Sequence, residues 1–101
     1  MNGNNKTLDT GKLEKVSAVF RTIAHPTRLA VLELLDKNGQ MSVNELMAIT
    51  NCEQSLLSHH LANMRSTGLL KSERKGQNIF YSIKEEKITE VVRCIEQCKI
   101  N

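Results

Sequence analysis

Asn51 to Ile83 reads NCEQSLLSHHLANMRSTGLLKSERKGQNIFYSI, and its hydrophobic period changes partway along. As far as Gly68 the apolar residues Leu57, Leu61 and Met64 recur at helical spacing. Beyond it, two short alternating stretches flank the turn Lys75-Gly76-Gln77-Asn78. A helix followed by a basic hairpin is the reading end of a winged helix. A second helix, Ser42 to Thr50, stands a few residues upstream and turns the pair into a helix-turn-helix. These features imply DNA as the ligand.

Working outward, the residues Met1 to Thr10 are polar and aperiodic and read as a disordered arm, which leaves residues 11–101 as one folded domain. Leu13, Val16, Phe20 and Ile23 mark a first helix with a single apolar stripe, ending near Ala24. Pro26 suits the first turn of the next helix, where its missing N–H costs nothing. Leu29, Leu32 and Leu35 carry that helix to about Asp36, and Gly39 closes the segment. Ser42 and Glu45 have the spacing of a capping box, so the third helix starts there and buries Val43, Leu46 and Met47. The recognition helix is expected over Glu53 to Ser66, stopped by Gly68 in a left-handed conformation. Strands follow at Lys71 to Lys75 and Ile79 to Ile83, then a last helix over Lys84 to Ile100 with Ile88, Val91, Val92 and Ile95 on one side. The expected fold is mainly α with a small β-hairpin wing, a winged helix-turn-helix in the order α-α-α-α-β-β-α.

Only three residues in this 101-residue chain are aromatic (Phe20, Phe80, Tyr81), so the core must be aliphatic. A chain this short rarely buries so much aliphatic surface alone, which implies a partner subunit. The net charge of +3 is mildly basic and suits a nucleic-acid ligand. No window resembles a signal peptide or a membrane span, which points to the cytoplasm and to no membrane partner. Three cysteines, Cys52, Cys94 and Cys98, are an odd number and argue against a disulfide framework.

The strings AHPTRLAVLELL (Ala24 to Leu35), SHHLANMRSTGLL (Ser58 to Leu70) and RKGQNIFYSI (Arg74 to Ile83), in this order and spacing, resemble the ArsR/SmtB family of small bacterial winged-helix repressors. With the connecting helix the resemblance spans Leu13 to Ile100. It implies a homodimer joined by first and last helices, bound to a palindromic double-stranded DNA operator and released by an inducer, whose identity the sequence does not name.

A recognition helix enters the major groove by its N-terminal turns, which puts Gln54, Ser55, Ser58 and His59 within reach of base edges. The Gln54 amide can donate and accept at once, as adenine N6 and N7 require. Ser55 has an alternative role in stabilising the helix start. His59 and His60 lie about 100° apart around the helix, so His59 is the exposed one and His60 packs inward. Arg65, Arg74 and Lys75 are expected on phosphates, the first from the helix flank and the others from the wing tip. Arg28, at a helix start, is expected to pair with a carboxylate or a backbone carbonyl.

Cys94 and Cys98 are four residues apart and share one helical face. Three readings are open for them: packing in the subunit interface, thiol-based sensing, or holding a thiophilic metal or arsenical with a third ligand. Cys52, at the recognition-helix start, is either a small turn residue or a reactive thiol. Metal-sensing members of the resembling family place Cys in the helix before the recognition helix, or His and carboxylates on the last helix. Here VNELMAIT has no Cys and the last helix no His, and the Cys that sulfur-responsive members carry on the second helix is missing from RLAVLELL. No metal or other cofactor is therefore assigned. An enzyme is not indicated, because no catalytic triad, acidic dyad or phosphate loop is present. The competing class is an interaction module whose basic wing binds a protein instead of an operator.

Overall fold

The structure, a computed structural model, describes residues 8–98. Five helices and a three-stranded sheet follow one another as α1 (Thr10–Ile23), α2 (Pro26–Asn38), β1 (Met41–Ser42), α3 (Val43–Thr50), α4 (Gln54–Ser66), β2 (Leu70–Lys75), β3 (Asn78–Ile83) and α5 (Lys87–Glu96). The expected order holds with one addition. The strand β1 is two residues long, too short to carry an alternating pattern, and its Ser42 is also the cap of the next helix.

Local chemistry accounts for the boundaries. Asp9 accepts a hydrogen bond from the Lys12 amide and starts α1 at Thr10, so Asp9 and Thr10 belong to a helix and not to the expected arm. Residues 1–7 of that arm lie outside the described residues. Pro26 opens α2, and the Gly39 amide donates to the Leu35 carbonyl to close it two residues later than expected. Both halves of the capping box are present: the Glu45 amide donates to Ser42 Oγ at 3.1 Å, and the Ser42 amide to Glu45 Oε1 at 2.8 Å. Asn51, in the left-handed conformation at φ 56°, makes the turn between α3 and α4.

Gly68 adopts φ 85° and sends Leu69 and Leu70 into the core, each 1% exposed. The hairpin pairs Leu70 with Ile83 through to Lys75 with Asn78, leaving a two-residue loop. Gly76 there has φ 64°, and Asn51 is the one non-glycine with positive φ among the described residues, which is the type II′ pattern that matches strand twist. The sheet order β1-β3-β2 puts β3 in the middle. Leaving β3, the Lys84 and Glu85 amides both donate to the Leu69 carbonyl, and this delays α5 to Lys87 instead of Lys84. The helix ends at Glu96, four residues before the expected Ile100, and residues 99–101 lie outside the described residues.

The core is aliphatic, as the composition requires. Val31, Leu32 and Leu35 of α2 meet Leu46 of α3, Leu57, Leu61 and Met64 of α4, and Ile88 and Val92 of α5. Two ion pairs brace α5 against α2, Arg93 donating to both oxygens of Asp36 at 3.0 and 3.1 Å and Lys37 lying 3.9 Å from Glu96, while Lys37 also pairs with Glu33 within α2 at 3.1 Å. Their exposure makes each a small contributor to stability.

Three polar residues interrupt the apolar interior among the described residues, Ser42, His60 and Arg28, the last at 5% exposure. Its Nε donates to His60 Nδ1 at 2.8 Å, while Nη1 donates to the Thr22 carbonyl at 2.8 Å and Asn63 Oδ1 at 3.2 Å. The expected backbone carbonyl is there; a carboxylate partner is not, among the described residues, because a neutral imidazole and an amide take its place. His60 is buried, as expected for the inward-facing member of the His59–His60 pair. Burial, followed by the Arg28 charge and the neighbouring His25 and His59, holds its imidazole below the ordinary value of 6.5.

Two outcomes follow from this network. Replacing Arg28 with Met strands one buried and two half-buried acceptors and should lower stability by about 2–3 kcal/mol, measurable by urea unfolding. Because His60 takes up a proton less readily folded than unfolded, its contribution is full above pH 6.5 and is lost as pH falls from there towards its folded value. The unfolding temperature should therefore fall between about pH 7 and about pH 5, and His60→Asn, which keeps an acceptor for Arg28 but does not titrate, should flatten that slope.

Candidate nucleic-acid interface

The outward side of α4 carries two polar stripes. Gln54, Ser58 and Arg65 are spaced to share one, and Ser55 and His59 the next, while Leu57, His60, Leu61 and Met64 face the core. All five polar residues are exposed. The structure thus brings the expected base-reading side chains to one surface on the first two turns of the helix.

Glu53 caps that helix. Its Oε1 accepts from the Leu56 amide at 3.0 Å and also from the Ser55 hydroxyl. These bonds, the Ser55 hydroxyl foremost, hold the Glu53 carboxyl below its ordinary range. Ser55 therefore has the helix-start role that was one of its two readings. Cys52, directly upstream, is half-buried against the core.

The wing splits its two cations. Successive strand residues point to opposite faces, so Arg74 shares a face with Ser72, Ile79 and Tyr81, whereas Lys75 shares one with Glu73 and Phe80. The first face is turned towards α4, since Arg65 Nη1 donates to Ser72 Oγ at 3.0 Å. On the other face Lys75 Nζ donates to Gln40 Oε1 at 2.7 Å and sits 5.4 Å from the centre of the Phe80 ring. Arg65 and Arg74 flank the polar side of α4; Lys75 is engaged across the sheet.

Between α4 and the wing lies a cleft of about 250 Å³ lined by Asn44, Gln54, Ser58, Gln77, Asn78 and Tyr81, among others. Four of these, Asn44, Gln77, Asn78 and Tyr81, were not singled out from the sequence. The polar pair after Gly76 was read as turn chemistry, and Asn44 was hidden within the capping box; no signal in the sequence brings them together.

Away from this surface, Leu13, Val16 and Phe20 of α1 are 49%, 41% and 52% exposed. Val16 and Phe20 join Val19, Ile88 and Val91 in lining an apolar groove of about 260 Å³ between α1 and α5. Lys87, Val91 and Cys94 follow one another at intervals of four and three residues and so run along one side of α5, whereas Cys98 lies two residues past the end of the helix and does not share the expected face. Both cysteines are exposed in the single chain. Among the described residues no group of three His, Cys, Asp or Glu side chains could hold a metal ion, and no helix is long and apolar enough to cross a membrane.

The chain matches known proteins over this same region. The model of the bacterial regulatory protein arsR family matches residues 25–72, from the start of α2 into β2. The HTH-type transcriptional regulator YgaV of Escherichia coli is 37% identical over 83 residues, covering 82% of this chain and 84% of its own. The crystal structure of the transcriptional repressor PagR of Bacillus anthracis superposes with a TM-score of 0.78 at 32% identity, over 86% of this chain and 99% of that one. Reduced HlyU of Vibrio cholerae gives a TM-score of 0.82 at 27% identity, over 89% and 96%. Sequence and architecture agree along nearly the whole described chain, and the protein belongs to the arsR family of bacterial regulatory proteins, as a winged helix-turn-helix transcriptional regulator.

Proposed function

We propose that the protein is a homodimeric cytoplasmic repressor that acts by binding, without catalysis, to a palindromic DNA operator and leaves it when an inducer arrives. The observation that carries this reading is the pairing of two surfaces on one small chain. One is polar, with Gln54, Ser58 and His59 between the cations Arg65 and Arg74; the other is the uncovered apolar groove of α1 and α5. A repressor role is supported by the relatives PagR and SdpR of Bacillus subtilis, both named as transcriptional repressors.

In this reading α4 enters the major groove and Gln54, Ser58 and His59 meet base edges, with Ser55 contributing there only if its hydroxyl leaves Glu53. Arg65 and Arg74 hold phosphates. Lys75 already gives one of its three N–H groups to Gln40 on the far face of the sheet, so its share is smaller. A second copy covers Leu13, Val16 and Phe20, and two-fold symmetry sets two recognition helices about 34 Å apart, one turn of DNA. Cys94 continues the side of α5 that bears Val91, Cys98 follows just beyond the helix, and both pack in that contact.

Sedimentation at micromolar concentration should give a dimer, and Phe20→Glu should give a monomer with much weaker operator binding. On duplexes selected from a random pool, Gln54→Ala should cost about 1–3 kcal/mol while leaving unselected DNA bound as before. Arg74→Ala should weaken both kinds of duplex alike and flatten the salt dependence by about 0.9 per subunit, more than Lys75→Ala does. Absence of any sequence preference would favour the interaction-module reading instead.

The paired replacement Cys94→Ser and Cys98→Ser should leave reduced-state operator affinity within a few-fold, measured by fluorescence anisotropy. Oxidant, persulfide or a thiophilic metal should then affect variant and wild type alike. Release of the wild type alone would make the pair a sensor.

A further inference from the structure

The cleft between α4 and the wing is notable for what lines it. Asn44 from the first turn of α3, Gln54 and Ser58 from α4, Gln77 and Asn78 from the hairpin turn and Tyr81 from β3 meet there, and no Lys, Arg, Asp or Glu is among its lining residues. Three carboxamides from three separate segments, those of Asn44, Gln54 and Gln77, thus border about 250 Å³ of open space beside the surface assigned to DNA. Asn44 and Gln77 are exposed, and neither has a side-chain hydrogen-bond partner within the described residues.

The shape of DNA determines what such a cleft meets. With α4 in the major groove and the hairpin reaching the adjacent minor groove, the feature lying between them is the sugar-phosphate backbone that divides the two grooves. We propose that Asn44 and Gln77 form the two sides of a neutral phosphate cradle, in which carboxamide N–H groups grip this strand of backbone without neutralising it. The proposal rests on the operator-binding reading above and adds the ligand of the cleft: a phosphodiester, held by uncharged donors.

The chemistry separates this from the cationic contacts. A lysine or arginine on a phosphate releases condensed counterions and adds about 0.9 to the salt slope; an amide hydrogen bond releases none. The cradle therefore contributes affinity and register at every salt concentration. It also leaves the carboxamide of Gln54, on the same rim, in fixed register with the bases.

The test measures dissociation constants against salt for a selected duplex and an unselected one of equal length, with circular dichroism to confirm folding. Asn44→Ala and Gln77→Ala should each weaken both duplexes by about tenfold per dimer with the salt slope unchanged, because each removes a neutral hydrogen bond in two subunits. Asn44→Lys and Gln77→Lys should bind both duplexes more tightly and steepen the slope by about 0.9 per subunit. Lysine variants with an unaltered slope would overturn the cradle, since the cleft would then not face phosphate. Alanine variants that lose discrimination between the duplexes would overturn it too, by making the cleft a base reader. Wild type that binds neither duplex would remove the operator reading itself, whereas binding by wild type that all four variants retain unchanged would remove the cradle alone.

Discussion

The arrangement of the two working surfaces depends on one side chain, Arg28. Ile23 is the only buried residue of α1, so hydrophobic contact alone gives that helix little purchase on the rest of the chain. Such contact is also non-directional and would let the helix slide or roll. The Arg28 guanidinium supplies direction: Nη1 donates both to the Thr22 carbonyl near the end of α1 and to Asn63 Oδ1 of α4, and Nε donates to His60 on the inner side of α4. A planar fork in a site of low dielectric fixes angles as well as distances. The apolar groove at α1 and the polar face of α4 are therefore held in register through a residue that belongs to neither. A cation buried without a carboxylate partner is costly, and it is tolerated here because three acceptors take up its N–H groups; one of them, His60 Nδ1, accepts only while the imidazole is unprotonated.

Most of the fold was legible because the elements announce themselves at their ends. Pro26, the Ser42–Glu45 box, Gly39, Gly68 and Gly76 each impose a local hydrogen-bond or dihedral requirement that one sequence suffices to read. What escaped were features decided by tertiary contact. The strand β1 exists only because Met41 and Ser42 lie beside Tyr81 and Phe80, and two residues cannot display a period. The late start of α5 comes from two amides turning to the Leu69 carbonyl, a bond made across 15 residues of sequence. In the site, the helical stripe of Gln54, Ser58 and Arg65 was readable from spacing. The parting of Arg74 from Lys75 was readable in principle from strand alternation, once the hairpin was known to run unbroken to its two-residue loop. The partners of Arg28 were not, because His60 and Asn63 lie more than 30 positions away.

The net charge of +3 says little about the DNA-facing side until its cations are located. Arg28 is buried beneath α4, Arg93 and Lys37 brace α5 against α2, and Lys75 lies on the far face of the sheet with Gln40. Arg65 and Arg74 remain beside the polar stripes, and Glu53 sets a carboxylate at the helix start nearest to them. Where Arg65 and Arg74 meet phosphates, each supplies counterion release. Hydrogen bonds from uncharged side chains such as Gln54 and Ser58 would act beside them, and these are short-ranged and weak one at a time. They become adequate when two subunits present the same set at a fixed separation, because the second half-site is then met at high effective concentration. The register that Arg28 imposes between α1 and α4 bears on that separation, because α1 carries the apolar face open to a second copy and α4 the polar face, and neutral hydrogen bonds tolerate misplacement less than charges do.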